Sequence, residues 1–238
     1  MTIFGAVFAR GGSKGIPGKN LRKLAGKSLL ELSVSLGLEL PAIDQMICST
    51  DSEEIAAEAK RLGADVPFLR PSRLAGDKAS EWGAWQHLAT YLIEQGASDS
   101  DILLSLPTTS PLRAREDVDA AIETFRAGSF DVVLAVTESA HNPWFNMVKR
   151  ESASTLVELA VSAGKQPVDR RQDAPQLYDI TTVVYVTTLG FALRASRMLE
   201  GKVGSIIIPP DRAIDIDTEL DLEIAEYLAL KRLGLDRG

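Results

Sequence analysis

A loop rich in glycine and in cationic side chains lies near the start of the chain. It reads ARGGSKGIPGKNLRKL over residues 9–24 and follows an apolar run directly. Its cationic side chains are Arg10, Lys14, Lys19, Arg22 and Lys23. Glycines let backbone N–H groups approach a ligand closely, and such groups beside cations form an anion-binding concavity. The loop is therefore interpreted as a phosphate-binding site, with a merely solvated basic loop as the alternative.

This loop matches neither of the two best-known phosphate motifs. In the pattern G-x-x-x-x-G-K-[ST], Ser13 stands where the first glycine is required, and Asn20 stands where the final serine or threonine is required. The pattern G-x-G-x-x-G fails because Gly12, Gly15 and Gly18 are spaced by three. If the loop binds phosphate, it belongs to a different class of phosphate site.

Two aspartates near the end of the chain have the spacing of a metal site. Asp215 and Asp217 occur in DIDTELDL, residues 215–222, and their i, i+2 spacing puts both carboxylates on one side of an extended segment. Such a pair suits Mg²⁺, which takes one or two carboxylates and completes its shell with water and phosphate oxygens. The alternative makes Asp217 the cap of the following helix, which leaves Asp215 unexplained. Together, the basic loop and the acidic pair indicate a nucleoside triphosphate with its metal.

Strand-like and helical segments alternate along the chain and would position these residues. Strands are predicted at 3–9, 45–49, 66–69, 102–106, 132–136, 182–188 and 203–208. Helices are predicted at 28–40, 51–62, 81–95, 115–127 and 217–233. This alternation predicts βαβ units and a mostly parallel sheet covered on both faces, with ligands beyond the carboxyl ends of the strands. Only residues 139–173, with a strand-like stretch at 155–161, break the pattern and suggest a small appendage.

Composition excludes several classes of protein. The 238 residues carry a net charge of −7, which argues against a surface that binds nucleic acid or an anionic membrane. No apolar run reaches the roughly 20 residues of a membrane span, and no leader-like segment opens the sequence, so a cytoplasmic protein is expected. The single cysteine, Cys48, lies in a predicted strand and is interpreted as a small buried hydrophobe.

Five motifs, in order, make the chain resemble the sugar-acid cytidylyltransferases. They are the loop at 9–24, CSTDSEEIAAEAKRLGA at 48–64, LRPSRLAGDKAS at 69–80, PTTSPLR at 107–113 and DIDTELDLEIAE at 215–226. The similarity is greatest to the acylneuraminate (CMP-sialic acid synthetase) family and its nonulosonate relatives. It implies a single Rossmann-like α/β nucleotidyltransferase domain over residues 1–238, with a dimerisation or acceptor-pocket element at 139–172.

The resemblance also implies an activity and its partners. CMP would pass from CTP to the anomeric hydroxyl of a sugar acid in an Mg²⁺-dependent reaction that releases pyrophosphate, and the enzyme would be a homodimer. The implied nucleotide-binding residues are Arg10, Gly11, Gly12, Ser13, Lys14, Lys19, Asn20, Arg70, Asp77 and Ser80. Arg10, Lys19 and Asp217 are the implied catalytic residues, and Asp215 and Asp217 are the implied metal ligands. Arg113, also in a family motif, is either a ligand contact or part of a structural ion pair.

Two departures from the family concern the acceptor. Pro107 stands where sialate enzymes usually have a glutamine, and YDITTVVYV at 178–186 replaces an Arg-Pro-Asn-Gly-Ala-Ile-Tyr type stretch. The predicted acceptor-binding residues are His141, Arg170, Arg171, Gln172, Tyr178, Asp179, Thr181 and Thr182. Arg170 and Arg171 could clamp a carboxylate through their forked guanidinium groups. The acceptor is then a sugar acid that need not be N-acetylneuraminate, such as a legionaminate-like or ketodeoxyoctonate-type acid.

Two other hypotheses stay open beside cytidylyl transfer. One keeps the fold but uses another nucleoside triphosphate, or a sugar phosphate as acceptor. The other is a nucleotide-binding relative that has lost catalysis, with Pro107 in its favour. The presence of both the basic loop and the acidic pair argues against this last hypothesis.

Overall fold

The computed structural model describes residues 1–13, 15–76, 79–150, 155–161, 168 and 170–235. The strands in these residues are β1 (Ile3–Phe8), β2 (Lys23–Leu24), β3 (Lys27–Ser28), β4 (Gln45–Ser49), β5 (Ile102–Ser105), β6 (Val132–Glu138), β7 (Val148–Arg150), β8 (Val157–Leu159), β9 (Tyr178–Thr188) and β10 (Val203–Ile207). The helices are α1 (Leu29–Glu39), α2 (Glu53–Leu62), α3 (Glu81–Glu94), α4 (Arg115–Ala127), α5 (Leu189–Arg194) and α6 (Glu219–Arg232). Single 3₁₀ turns occur at Lys19–Leu21, Ser72–Leu74, Arg171–Asp173 and Met198–Glu200.

The central sheet has six strands in the order β10-β6-β9-β5-β1-β4. The pairs β1–β4, β1–β5 and β6–β10 are parallel, whereas β9 runs antiparallel to both of its neighbours. The prediction of a mostly parallel sheet in an α/β fold is confirmed. The direction of β9 was not predicted, because a strand that is buried on both faces has the same apolar pattern in either direction. The predicted strand at 66–69 is reduced to two isolated bridges, formed by Asp65 and Leu69.

Helices cover both faces of this sheet and divide its core in two. Helices α1, α2 and α4 pack on one face, where Val34, Ile55 and Val118 join the apolar side chains of the strands. On the other face, α3 and α5 bring Trp85 and Phe191 against the sheet. The predicted two-sided cover is therefore present.

Side-chain caps set the helix boundaries. Ser28, Ser52 and Ser80 accept the N–H of the third helical residue in α1, α2 and α3, which satisfies an otherwise unpaired donor. Helix α6 starts in the same way at Thr218, whose capping box is completed by Asp221. The alternative in which Asp217 caps this helix is therefore wrong.

The interpretation of Cys48 as a buried hydrophobe is confirmed. Its side chain has no exposed surface, and burial raises the pKa of the thiol to about 12. The thiol is neutral at physiological pH, where a thiol is a poor nucleophile.

The segment at 139–172 contributes a two-stranded sheet that is separate from the central one. Its described part contains the antiparallel pair β7–β8, in which Val148 lies opposite Leu159. Both side chains are exposed, as is that of Val157. In this part the predicted strand at 155–161 is shorter and spans Val157–Leu159.

None of the described helices combines the length and the apolar character needed to cross a membrane.

The loop between β10 and α6, which carries the two aspartates, is tied to α4 by an ion pair. Arg212 donates two hydrogen bonds to Asp117, Nε to Oδ2 at 2.9 Å and Nη2 to Oδ1 at 2.7 Å. The Asp117 side chain is only 4% exposed, so its charge depends on this partner and on the N–H of Ala114. The pair therefore fixes one end of the acidic segment.

We expect Arg212→Met to lower the free energy of unfolding by about 3 kcal/mol, because it leaves a buried carboxylate without its cation. Urea unfolding monitored by tryptophan fluorescence measures this change. Arg194→Met is the matched control: its contact with Asp131 joins side chains that are 62% and 35% exposed, and such pairs contribute about 0–1 kcal/mol. Equal losses of unfolding free energy in the two variants would show that the buried pair with Asp117 stabilises the fold no more than an exposed pair does.

Candidate active site

One cavity of about 530 Å³ lies where the loop at 9–24 meets the carboxyl ends of β1 and β5. It is lined by Phe8, Arg10, Ser13, Gly15, Lys19, Asn20, Arg70, Leu74, Ala75, Gly76, Ala79, Ser80, Glu81, Ala84, Thr108, Thr109 and Asp217. Six of the predicted nucleotide-binding residues, Arg10, Ser13, Lys19, Asn20, Arg70 and Ser80, are thus brought together. Gly11 and Gly12 belong to the same loop without lining the cavity, and Lys14 and Asp77 lie outside the described residues.

Asn20 anchors the basic loop to the end of β5. Its side chain is buried, and its Nδ2 donates to the carbonyl oxygen of Arg10 at 2.9 Å. Its Oδ1 accepts a hydrogen bond of 2.6 Å from the hydroxyl of Thr108. The asparagine that disqualifies a P-loop is therefore used here to shape the loop.

Lys19 joins the basic loop to the acidic segment. Its Nζ donates to the carbonyl oxygen of Ile216 at 2.7 Å and lies 3.1 Å from Oδ1 of Asp217. Gly15 allows this close approach, because a Cβ atom at that position would overlap the carbonyl oxygen of Asp217. The two charged segments found in the sequence thus form a single site.

The acidic segment is extended, the conformation in which its i, i+2 spacing places both carboxylates on one side. Ile216 is fully buried, and its N–H donates to the carbonyl oxygen of Thr109 at 2.8 Å. Its neighbours Asp215 and Asp217 are half-buried and exposed, respectively, on the other side of the segment. This alternation directs both carboxylates away from the core.

The donor set fits a hard divalent cation. Oδ1 of Asp215 accepts from Thr182 and Oδ1 of Asp217 contacts Lys19, whereas neither Oδ2 accepts a hydrogen bond from a described residue. No group of three or more acidic, histidine or cysteine side chains within the described part of the chain could form a closed metal site. The two carboxylates, of which that of Asp217 lines the cavity, form a donor set that Mg²⁺ can use when phosphate and water complete its shell.

A network of three hydroxyl groups positions Asp215, which accepts a hydrogen bond from one of them. Oγ1 of Thr182 donates to Asp215 at 3.0 Å and also lies 2.9 Å from the hydroxyl of Thr109 and 2.6 Å from that of Ser110. The structure thus gives Thr182, a predicted acceptor-binding residue, a set of internal partners. No local sequence signal connects these residues, since the contacts span 33 to 73 positions.

Arg113 supports the turn at 107–110 from inside the protein. It is buried, donates to Oγ of Ser33 at 2.9 Å and also bonds the carbonyl oxygen of Pro107. Burial lowers the pKa of its guanidinium to about 9, so the group stays charged at neutral pH. Arg113 does not line the cavity, which favours the structural interpretation, although its hydrogen-bond partners are neutral oxygens and not a carboxylate.

The predicted acceptor residues on β9 do not line the cavity. Tyr178 and Asp179 are exposed at the start of the strand. Thr181 is buried, and its hydroxyl has no hydrogen bond with any described residue. Only Thr182 reaches the cavity wall, through Thr109.

The other predicted acceptor residues belong to the segment at 139–172. Arg170 pairs with Asp173 at 2.7 Å, and Arg171 donates to the carbonyl oxygen of Ala140 at 2.5 Å. His141 and Gln172, in the same segment, are exposed. None of these four side chains lines the cavity, so their role in acceptor binding stays a prediction.

Sequence reasoning missed Glu81 and Phe8, both of which line the cavity. Glu81 directly follows the last residue of the motif at 69–80, and its helical position gave it the ordinary role of a first-turn acid. Phe8 ends β1 and stacks on Trp85 with a ring separation of 6.0 Å. The only available signal was their adjacency to predicted site residues.

Comparison with known proteins places the chain in a family. Residues 5–232 match the family model described as cytidylyltransferase. The chain belongs to the cytidylyltransferase family. The predicted family and enzyme class are thereby confirmed.

Individual relatives agree with this assignment. The chain is 30% identical to post-translational flagellin modification protein B of Campylobacter coli, over 95% of its own length and 94% of the relative. It is 29% identical to the CMP-N,N'-diacetyllegionaminic acid synthase of Campylobacter jejuni, over 98% and 97% of the two chains. A solved CMP:2-keto-3-deoxy-manno-octonic acid synthetase in complex with CTP shares the fold, with a TM-score of 0.71 at 15% identity over 98% and 100% of the chains.

We expect Thr182→Val to weaken the binding of a divalent cation about 10- to 100-fold, because partners that orient a metal ligand typically contribute this much. Electron paramagnetic resonance titration with Mn²⁺ measures the affinity without any substrate. Thr187→Val is the matched control on the same strand, since that hydroxyl donates to the carbonyl oxygen of Asp131 at 2.9 Å, away from the cavity lining. An unchanged affinity in Thr182→Val would mean that the hydroxyl network does not position Asp215 for a metal.

Proposed function

We propose that the protein transfers CMP from CTP to the anomeric hydroxyl of a nonulosonic acid and releases pyrophosphate, with Mg²⁺ as cofactor. The observation that carries the proposal is the contact of Lys19 with Asp217 at 3.1 Å, which joins a basic loop and an acidic pair at one cavity. Family membership supports the cytidylyl part of the reaction. The names of relatives that act on legionaminic and pseudaminic acids support the class of acceptor.

In this reaction the cationic side chains would bind the triphosphate. Arg10 and Arg70 line the cavity and can offset charge on the nonbridging oxygens, while Lys19 exchanges its contact with Asp217 for the departing pyrophosphate. Nucleotidyl transfer depends mainly on such positioning and on electrostatic stabilisation of the oxygens. Asp215 and Asp217 would hold Mg²⁺, which supplies additional stabilisation of charge on the phosphate.

Burial makes Arg70 suited to this task. Its side chain is 4% exposed and lies 4.0 Å from Asp51, too far for a strong hydrogen bond. Its Nε has no hydrogen-bond partner among the described residues, and burial lowers the pKa of the guanidinium. A phosphate oxygen would satisfy this donor and compensate the cost of burying the charge.

The oligomeric state and the location belong to the same proposal. The exposed apolar side chains of Val148, Val157 and Leu159 on the β7–β8 pair would form a homodimer interface, because a second copy would remove them from water. We expect light scattering to give twice the chain mass of 25.7 kDa, and a monomer would refute the interface. A reaction that consumes CTP suits the cytoplasm, which cell fractionation can test.

The function is tested by measuring pyrophosphate release from each of the four ribonucleoside triphosphates. The acceptor panel contains legionaminic, pseudaminic, N-acetylneuraminic and ketodeoxyoctonic acids, and each reaction is run with Mg²⁺ and with excess EDTA. We expect release only with CTP, a nonulosonic acid and Mg²⁺, because the cavity must bind a triphosphate whose charge is offset by a cation. Preference for another nucleotide, or full activity in EDTA, would contradict the corresponding part of the proposal.

A further inference from the structure

Glu81 brings an additional carboxylate to the active-site cavity. It is the first residue of α3, directly after the N-cap Ser80, and it lines the same cavity as Lys19, Thr109 and Asp217. Its side chain is exposed to that cavity, although protein surrounds it closely. A bound ligand would therefore meet this carboxylate.

The orientation of Glu81 is fixed by a buried indole. Nε1 of Trp85, one helical turn further along, donates to Oε1 of Glu81 at 3.2 Å. The Trp85 side chain is 1% exposed and is held by stacking on Phe8, so this donor cannot move away. The other carboxylate oxygen, Oε2, accepts no hydrogen bond from a described residue and is available to a ligand.

Charged and titratable groups from three other parts of the fold face Glu81. These are Arg70 from the segment after β4, Asp215 from the loop before α6 and Tyr185 from β9. Burial raises the pKa of Glu81, the hydrogen bond from Trp85 and the charge of Arg70 lower it, and Asp215 raises it, with a net increase. A raised pKa makes a carboxylate a stronger base, which suits a group that must accept a proton.

The other cavity-lining groups are poorly suited to accept a proton. Asp217 is the other carboxylate of the described lining, and it is engaged with Lys19. No histidine or cysteine lines this described part of the cavity. Pro107, at the position where sialate enzymes have a glutamine, has no polar side chain, and its carbonyl oxygen is bonded to Arg113.

We infer, on the basis of the proposed cytidylyl transfer, that Glu81 is the general base for the acceptor hydroxyl. Oε2 takes the hydroxyl proton while the hydroxyl oxygen forms a bond to the α-phosphorus of CTP. The bond from that phosphorus to the oxygen bridging to the β-phosphate breaks, and its electron pair leaves with pyrophosphate. Glu81 then returns its proton to solvent.

The test compares Glu81→Gln with the wild-type enzyme in the pyrophosphate assay, with CTP and the acceptor from the panel that reacts fastest. Glutamine keeps the size of the side chain and can still accept from Trp85, but it cannot take up a proton. We expect kcat to fall about 10²- to 10⁴-fold, the usual contribution of a general base, with the KM for CTP unchanged. The acid limb of the wild-type pH profile of kcat should disappear in the variant.

Glu53→Gln is the matched control, because Glu53 is also the first residue of a helix and follows a serine N-cap, Ser52, yet does not line the cavity. It should keep the wild-type kcat and pH profile. Wild-type turnover together with an unchanged kcat or an unchanged acid limb in Glu81→Gln would overturn the role of Glu81 alone. The absence of turnover by the wild-type enzyme with every nucleotide and acceptor would overturn the proposed function, and this inference with it.

Discussion

The site depends on the contact between the Lys19 ammonium group and the acidic segment. Nζ of Lys19 bonds both the carbonyl oxygen of Ile216 and the carboxylate of Asp217, so one cation holds the two segments together. Beneath this polar contact, Ile16 and Ile216 are fully buried in one apolar cluster with residues of α6. Burial of apolar surface supplies most of the attraction, and the ion pair adds register and charge compensation.

The turn at 107–110 connects this contact to the sheet. Thr108 bonds Asn20 of the basic loop, while Thr109 and Ser110 bond Thr182, which in turn bonds Asp215. Fully satisfied polar networks of this kind are rigid, because breaking one bond leaves a buried group without a partner. A proline at position 107 is compatible with this arrangement, since the structure uses its carbonyl oxygen and not its side chain.

The sequence was most informative where the signal was local. Serine caps and a terminal glycine gave the bounds of α2 to within two residues, and the spacing of Asp215 and Asp217 indicated that both carboxylates share one side if the segment is extended. Local patterns failed where the deciding contact was distant. The direction of β9 depends on pairing with β5 and β6, and the hydroxyl of Thr182 meets partners 33 to 73 positions away.

Glu81 shows a different reason for failure. A glutamate in the first turn of a helix is explained by the helix dipole alone, so its residue type carries no sign of a ligand. Only the fold reveals that the first turn of α3 opens into the cavity and that Trp85 holds the carboxylate there. A residue with a sufficient local explanation can therefore conceal a site role.

The structure also separates the cavity from the predicted acceptor residues. A cavity of about 530 Å³ is in the range that holds one small ligand, and its walls carry the cationic groups suited to a nucleotide. The predicted acceptor residues do not line it; they lie on β9, whose start is exposed, and in the segment at 139–172. Thr182 links the two regions because it touches the cavity wall through Thr109 and follows Thr181 on the acceptor side. The proposed acceptor site would then vary independently of the charge network, because its predicted residues do not line the cavity. The divergent stretch at 178–186 begins in that exposed region.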